Sequence, residues 1–383
     1  MKRILFVFGT RPEVFKMAPV IQEFRKHLDF KVYTCLTAQH REMVDQALCA
    51  FKLRIDFDLN IMEEGQTLSD LTSRLFPKMD EVFSKVRPEL VLVQGDTTSA
   101  FAVALKAFYS KIPVAHIEAG LRTHHKYHPF PEEINRVLIS RLADYHFAPT
   151  EESRKNLIRE GVPSERIFVT GNTVVDALRL LRKDIKHETQ PLLRLISKAQ
   201  KIILVTAHRR ESFGKPLRSI CRALKVIVRR YPDTEIIYPV HLNPNVQQVV
   251  HQELFGISRI HLVHPLPYRE FLVLMDRAFL ILTDSGGIQE EAPSFRKPVL
   301  IMRDVSERGE GIRLGIAKLV GTSKSEIVRE TERLLNSKSA YRQMVSRKNP
   351  YGDGYAAARI CRFVARNFKK SKTRKICVQK KMP

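Results

Sequence analysis

Phe279-Leu280-Ile281-Leu282-Thr283-Asp284-Ser285-Gly286-Gly287-Ile288-Gln289-Glu290-Glu291 passes from an apolar run through a polar glycine pair into a helical pattern. It reads as a buried strand, a tight turn and a helix start. Ser285, Gly286 and Gly287 would gather backbone N–H groups, a hydroxyl and a helix N-terminus at one point, an arrangement that holds a phosphate without a cation. Glu291 would sit one helical turn further in, where a carboxylate can accept hydrogen bonds from a ribose diol. A serine-capped helix behind a core strand would use the same residues. The rest of the chain has to decide between the two.

Outward from this stretch, strand and helix patterns alternate in both directions. Toward the N-terminus lie Ile260–Val263, which leads into a proline-rich turn before Phe271, then Glu235–Val240 ahead of His241, and Lys201–Val205 ahead of Thr206-Ala207-His208-Arg209-Arg210. Between about Leu178 and Ala199 the chain turns charged and loses its strand pattern, which marks a linker. The alternation holds before it as well. Ile4–Phe8 runs into Gly9-Thr10-Arg11-Pro12-Glu13 and a helix from Val14 to His27, followed by a strand at Phe30–Thr37. Leu90–Val93 ends in Gln94-Gly95-Asp96, a helix covers Ser99–Tyr109, Ile112–Ile117 ends in Glu118-Ala119-Gly120-Leu121-Arg122, and strands follow at Tyr145–Pro149 and Arg166–Thr170. The expectation is an α/β protein of two doubly wound Rossmann-like domains, residues 1–171 and 172–350, with their carboxyl strand edges facing a cleft that takes the ligand.

Composition agrees with this and excludes several classes. A chain of 383 residues exceeds one ordinary core, and a hydrophobic content of 44% can fill two. Five cysteines without a CxxC pair indicate neither a disulfide framework nor a zinc site, which fits a reducing cytoplasm. Only five apolar residues precede Gly9, too few for a signal peptide, and no run is long enough to span a bilayer. The formal charge is +24; residues 366–383 hold eight cations and no acid, so the remainder carries +16. No stacking aromatics, zinc finger or RNP-like segment accompanies that charge, so nucleic acid is not the expected main partner and a solvated basic surface is. The stretch after residue 368 has the marks of a disordered basic tail.

Chemistry-bearing residues collect at the strand ends. Arg11 and Lys16 follow the first strand, where cations would neutralise a diphosphate, or would be ordinary surface charges. Asp96 and Glu118 end two later strands; a capping aspartate and a solvated glutamate would account for each singly, but they arrive at one edge together. Glu132 and Arg136 stand four apart at a helix start behind Pro131, as a surface ion pair also would. His124, His125 and His128 lack a matching carboxylate, so no metal site is expected. No GxGxxG occurs.

The motifs together resemble the non-hydrolysing UDP-N-acetylglucosamine 2-epimerases. GTRPE at Gly9, TAQHREM at Thr37, GDTT at Gly95, HIEAGLRT at His116, PEE-I-NR at Pro131, GNTVVDAL at Gly171, HRRESFG at His208, YPVHLNPNV at Tyr238, LTDSGGIQEEAPS at Leu282 and NPYGDG at Asn349 stand in the family's order across residues 3 to 365. The resemblance implies the glycosyltransferase-B architecture, a cytoplasmic homodimer, and reversible conversion of UDP-GlcNAc to UDP-ManNAc for surface polysaccharide synthesis. It also implies a final helix, within residues 351–368, that returns to the first domain. Asp96, Glu118 and Glu132 match the family's acid/base carboxylates, and His208 its residue at the leaving diphosphate. Arg11, Lys16, Arg136, Phe271, Ser285, Gly286, Gly287 and Glu291 match substrate contacts, with Phe271 beside the uracil. Gln39, His40, Gln66, Arg74 and Arg210 match positions where a second UDP-GlcNAc acts as effector. The chain departs from the family at Thr123-His124-His125, where Thr-Gly-Asp is usual, and at Glu307-Arg308-Gly309-Glu310-Gly311, where ERPEA is.

The chemistry follows from the substrate as well. C2 of an N-acetylhexosamine has no carbonyl beside it and its proton is not acidic. Breaking the C1–O bond to UDP makes C1 electron-poor, so that a carboxylate can take the C2 proton and leave a 2-acetamidoglucal. Re-addition of UDP with protonation from the other face gives the epimer. Exchange on two faces calls for two acid/base groups, which a carboxylate cluster supplies, and no cofactor is needed. Three rivals share parts of this pattern: a hydrolysing 2-epimerase that admits water to the glucal, a UDP-sugar glycosyltransferase that needs an acceptor, and a nucleotide-sugar sensor or polyanion binder.

Overall fold

The structure, a computed structural model, describes residues 1–37, 41–63, 65–182, 201–306 and 308–379, with the backbone alone at 41–43, 210 and 368–379. The chain divides into two compact units: Met1–Leu180 with Tyr351–Pro383, and Leu181–Pro350.

The first unit is built on a parallel sheet of seven strands: β1 (Lys2–Phe8), β2 (Phe30–Leu36), β3 (Phe57–Asp58), β4 (Leu90–Gln94), β5 (Val114–Ile117), β6 (Tyr145–Ala148) and β7 (Ile167–Val169). Their order is β3-β2-β1-β4-β5-β6-β7. The apolar run of β1 is continuous rather than alternating because helices cover both faces of a parallel sheet. Leu5 and Val7 face a cluster with Leu75, Met79 and Val103 from the helices Leu68–Val86 and Thr98–Tyr109. On the other face Phe6 meets Phe24 of the helix Arg11–Arg25, edge to face at 5.2 Å.

The second unit repeats the plan with six parallel strands: β8 (Lys201–Thr206), β9 (Thr234–Pro239), β10 (Ile260–Val263), β11 (Leu280–Thr283), β12 (Val299–Ile301) and β13 (Ala317–Leu319), ordered β10-β9-β8-β11-β12-β13. In both sheets the order reverses once, between β1 and β4 and between β8 and β11. Chain crossovers leave opposite faces at such a switch point, so the loops splay apart and the carboxyl ends of the two central strands are left for a ligand. Gly9-Thr10-Arg11 and Gly95-Asp96-Thr97 follow one such pair of strands; His208 and Asp284-Ser285 follow the other.

Two boundaries differ from those read in the sequence. The first unit runs to Leu180 rather than 171, because the helix Thr173–Leu181 buries Val174, Val175, Ala177 and Leu178. The linker expected from Leu178 therefore starts later, and its body, residues 183–200, lies outside the described residues. The last helix spans Ala356–Gln379 and so continues past Phe368 into the stretch expected to be disordered; no glycine or proline interrupts it, and Lys and Arg favour helix.

The return of the chain to the first unit is held locally. Gly171, at φ +88°, packs against Gly352; a Cβ there would stand 3.3 Å from the Gly352 Cα. Asn172 N donates to Tyr351 O at 2.6 Å, and the Asp176 carboxylate accepts from Ala356 N at 3.1 Å and Ala357 N at 2.9 Å. Beyond them the Phe363 ring of the last helix packs edge to face with Tyr145 and Phe147 and tilted against Phe168.

Candidate active site

The first unit carries Arg11, Lys16, Asp96, Glu118, Glu132 and Arg136. Their turns are tied together by Glu13, a buried residue that sequence reading passed over. Its Oε2 accepts from Gly9 N (2.9 Å), Thr10 N (2.7 Å) and Thr10 Oγ1 (2.8 Å), and its Oε1 accepts from Thr97 Oγ1 at 2.9 Å. Burial raises the pKa of this carboxyl, and the four donors oppose that shift. Arg11 is half-buried at the start of the helix Arg11–Arg25, its guanidinium 5.7 Å from the Phe15 ring.

Register brings Asp96 and Glu118 to the ends of neighbouring strands, since Gln94 of β4 pairs with Ile117 of β5. Glu118 forms a buried ion pair with Lys16, and the same Oε2 accepts from Gln94 Nε2 at 2.7 Å. Its backbone stands at φ +66°, left-handed for a residue with a Cβ. That costs about 1–2 kcal/mol, and such strain gathers at functional sites. Asp96 Oδ2 lies 2.5 Å from Arg136 Nη2, and the Asp96 carbonyl accepts from Asn135 Nδ2 at 3.0 Å. The preceding carbonyl, Gly95 O, accepts from His116 Nε2 at 2.7 Å. Burial pushes His116 down to about 4, so it is the neutral Nε2–H tautomer that locks this turn.

Glu132 is half-buried at the first position of the helix Glu132–Leu142. Arg136 takes Asp96 and, at 3.3 Å, Glu133, so the surface ion pair with Glu132 that the spacing left open is not among the pairs Arg136 makes with described residues. Glu133 is the buried member of the pair and accepts from Thr123 N and His124 N, anchoring the loop that carries His124 and His125. His124 sits at φ +60° and is exposed along with His125 and His128. Arg122 turns inward, with both arms on Glu160 at 2.7 Å and a third bond to Ser140 Oγ, so it is committed to the fold.

The second unit carries His208, Phe271, Ser285, Gly286, Gly287 and Glu291. Asp284, at the end of β11, is fully buried and binds His208 N (2.7 Å) and Arg209 N (2.8 Å) through Oδ2. The His208 ring stacks on His241 at 5.3 Å and 14°. Burial lowers the His241 pKa, and the charge of His208 adds to the shift. Ser285 stands at the N-cap of the short helix Gly286–Glu291 but makes no side-chain cap bond, which removes the serine-cap reading. Its N–H is spent on Thr283 Oγ1 at 2.9 Å, so the turn has one N–H fewer for an anion than the sequence suggested. Gly286 lets the Arg308 guanidinium lie against the turn, since a Cβ would come within 2.6 Å of it and that side chain would have to shift. Arg308 itself bonds Glu290 Oε1 at 3.0 Å. Glu291 is buried nearby and Phe271 is half-buried on the helix Tyr268–Arg277.

Of the five effector positions, Gln39 and His40 lie outside the described residues, as does the side chain of Arg210. Gln66 and Arg74 converge on Glu63: Gln66 Oε1 accepts from Glu63 N at 3.3 Å, and Arg74 pairs with the Glu63 carboxylate. A surface hollow of about 650 Å³ in the second unit is lined by Lys215, Ser219, Asp304 and Glu326 among others and takes in none of the residues expected to bind substrate. Among the described residues no group of three or more His, Cys, Asp or Glu is arranged for a metal ion, and no helix is long and apolar enough to cross a membrane.

The residues that sequence reading missed are the anchors. Glu13 was signalled by the T-x-x-E spacing of a capping box and Asp284 by its place at a strand's end. Glu133 and Arg308 gave no signal separable from their neighbours.

Comparison with known proteins agrees with this fold. The family model for UDP-N-acetylglucosamine 2-epimerase matches residues 22–365. The UDP-N-acetylglucosamine 2-epimerase of Escherichia coli strain K12 is 49% identical over 371 residues, covering 95% of this chain and 99% of its own length. Among solved structures, the UDP-GlcNAc 2-epimerase of Neisseria meningitidis bound to UDP-GlcNAc is similar with a TM-score of 0.91 at 45% identity, over 95% of this chain and 100% of that one. That of Methanocaldococcus jannaschii in complex with UDP-GlcNAc and UDP has a TM-score of 0.82 at 35% identity, over 95% and 99%.

Proposed function

The chain belongs to the UDP-N-acetylglucosamine 2-epimerase family, and from that premise we propose that it interconverts UDP-GlcNAc and UDP-ManNAc by eliminating and re-adding UDP without hydrolysis. The observation that carries this reading is the pairing of Asp96 and Glu118 on adjacent strand ends, each with its own cation, Arg136 and Lys16. Elimination removes the C2 proton to a carboxylate as the C1–O bond breaks; the electron pair of that bond leaves with UDP, and C1 and C2 become the double bond of the 2-acetamidoglucal. Re-addition returns the diphosphate oxygen to C1 and a proton to the opposite face of C2. Asp96, Glu118 and Glu132 supply the acid/base groups of this cycle.

Charge on the departing diphosphate is met by His208, Arg11 and the Ser285-Gly286-Gly287 turn, with Arg308 beside Gly286 as a further cation. Gln39, His40, Gln66, Arg74 and Arg210 take the effector. The same reading includes a cytoplasmic homodimer that supplies surface polysaccharide synthesis.

Incubating the purified protein with UDP-GlcNAc alone and following it by NMR tests the reading. Formation of UDP-ManNAc with no free sugar supports it. Release of ManNAc and UDP assigns the hydrolysing reaction instead, and no turnover without an acceptor points to a transferase.

A further inference from the structure

Asp284 has no exposed surface, yet only one of its carboxylate oxygens is hydrogen-bonded. Oδ2 accepts from the backbone N–H groups of His208 and Arg209, whereas Oδ1 has no hydrogen-bond partner among the described residues. A carboxylate oxygen sealed from water requires a donor. His208 Nδ1 lies 3.5 Å from it. That distance is long for a hydrogen bond, in the manner of catalytic contacts that tighten when a ligand is bound.

Two more contacts restrict the ring. His241 stacks nearly parallel on the imidazole face, and Tyr238 Oη donates to Ala207 O at 2.8 Å, steadying the peptide that precedes His208. About a third of the His208 side chain stays exposed. The imidazole thus has its face on His241 and its Nδ1 edge on Asp284.

We propose that Asp284 is a positioning residue for His208, holding the imidazole as the Nδ1–H tautomer and so reserving Nε2 for proton transfer with the leaving diphosphate. The proposal rests on the reading of His208 as the leaving-group residue. During elimination the Nε2 proton of the imidazolium passes to the departing diphosphate oxygen, and the neutral ring keeps its Nδ1 proton on Asp284. Re-addition returns the proton to Nε2, so the exchange balances within the site.

Asp284→Asn isolates this role. The amide oxygen can accept from the same two backbone N–H groups, while the amide NH₂ takes the place of Oδ1 and donates to Nδ1. The variant should keep its fold and invert the tautomer of His208, fixing the proton on Nε2. Long-range ¹H–¹⁵N correlation on protein labelled with ¹⁵N-histidine reads the tautomer without substrate, the His208 signals being those lost in His208→Gln. We expect Nδ1–H in the wild type and Nε2–H in Asp284→Asn, with kcat lower by on the order of 10²–10⁴-fold and KM changed far less.

An Nε2–H tautomer in the wild type overturns the proposal, whether or not the variant folds. So does a variant that inverts the tautomer and keeps full kcat, or one that changes neither. A wild type with the Nδ1–H tautomer but no epimerisation would count against the assigned reaction and leave the orienting contact standing.

Discussion

Glu13 and Thr97, 84 positions apart in the chain, share a 2.9 Å hydrogen bond that joins the turn carrying Arg11 to the turn carrying Asp96. Both turns follow the strands that flank the switch point of the first sheet. A single buried carboxylate therefore fixes the spacing of a cation and an acid that no local sequence feature could have related.

Glu13→Ala should lower both stability and turnover. It leaves Gly9 N and Thr10 N without their acceptor, at about 1–3 kcal/mol for each buried donor left unpaired. Glu13→Gln should be much milder: its amide oxygen can serve those donors and its NH₂ can donate to Thr97 Oγ1, which still caps Ala100 N. Urea midpoints and kcat for the pair check this. Equal losses in both variants would mean that the negative charge, and not the hydrogen bonds, is what Glu13 contributes.

The paired histidines of β5 and β6 make stability fall in acid. Burial holds His116 at about 4 and His146 at about 3, against an ordinary value near 6.5. Both are neutral in the fold, so their contribution is complete above pH 6.5 and is lost as the pH drops toward 4, when the unfolded chain takes up protons that the fold refuses. For His116 the difference between 6.5 and about 4 corresponds to roughly 3 kcal/mol. His116→Gln keeps a donor for Gly95 O and cannot titrate, so its urea midpoint should fall less between pH 7.5 and 4.5 than that of the wild type. Parallel pH curves for the two proteins would refute the assignment.

Asp176 acts in the opposite sense. Burial raises it to about 6, with the N–H groups of Ala357 and Ala356 pulling it down less strongly. A raised carboxyl favours the fold below the unfolded value near 3.9 and loses that advantage as the pH rises through about 6. In the window from pH 4 to 6 it therefore offsets part of the histidine effect. Asp176→Asn removes the offset, and the loss of stability on acidification should become steeper. A shallower curve in the variant would contradict the sign argued here.

The strand ends were readable because parallel strands buried on both faces are continuous apolar runs, and the polar residue that ends each run is the one left at the carboxyl edge. Asp96, Glu118, His208 and Ser285 were found in that way. What could not be read was which acid does what. Glu132 and Glu133 are chemically identical neighbours, and only the fold shows that Glu133 takes the Thr123 and His124 amides while Glu132 stays at the helix start. Arg122 ends the same stretch as Glu118, but the fold commits it to a bidentate partner 38 positions away, Glu160. The short strands β3 and β13 gave no pattern because two or three residues at a sheet edge cannot show a period.

Glu118→Gln tests the proposed chemistry most directly, provided stability and catalysis are separated. Glutamine keeps the shape but cannot carry a proton from C2, so turnover should fall by on the order of 10²-fold or more. It also removes the counter-charge of Lys16 at a buried pair, where breaking such pairs costs up to about 3–5 kcal/mol. Lys16→Met combined with Glu118→Gln removes both charges and should recover much of the lost stability without recovering turnover. In deuterated water the wild type should place deuterium at C2 of the epimer, because the carboxylates exchange their proton with solvent while UDP and the glucal stay bound. Glu118→Gln should slow incorporation and epimerisation together. Full turnover in the stable double variant would exclude Glu118 from proton transfer and leave Asp96 and Glu132 as the exchanging pair.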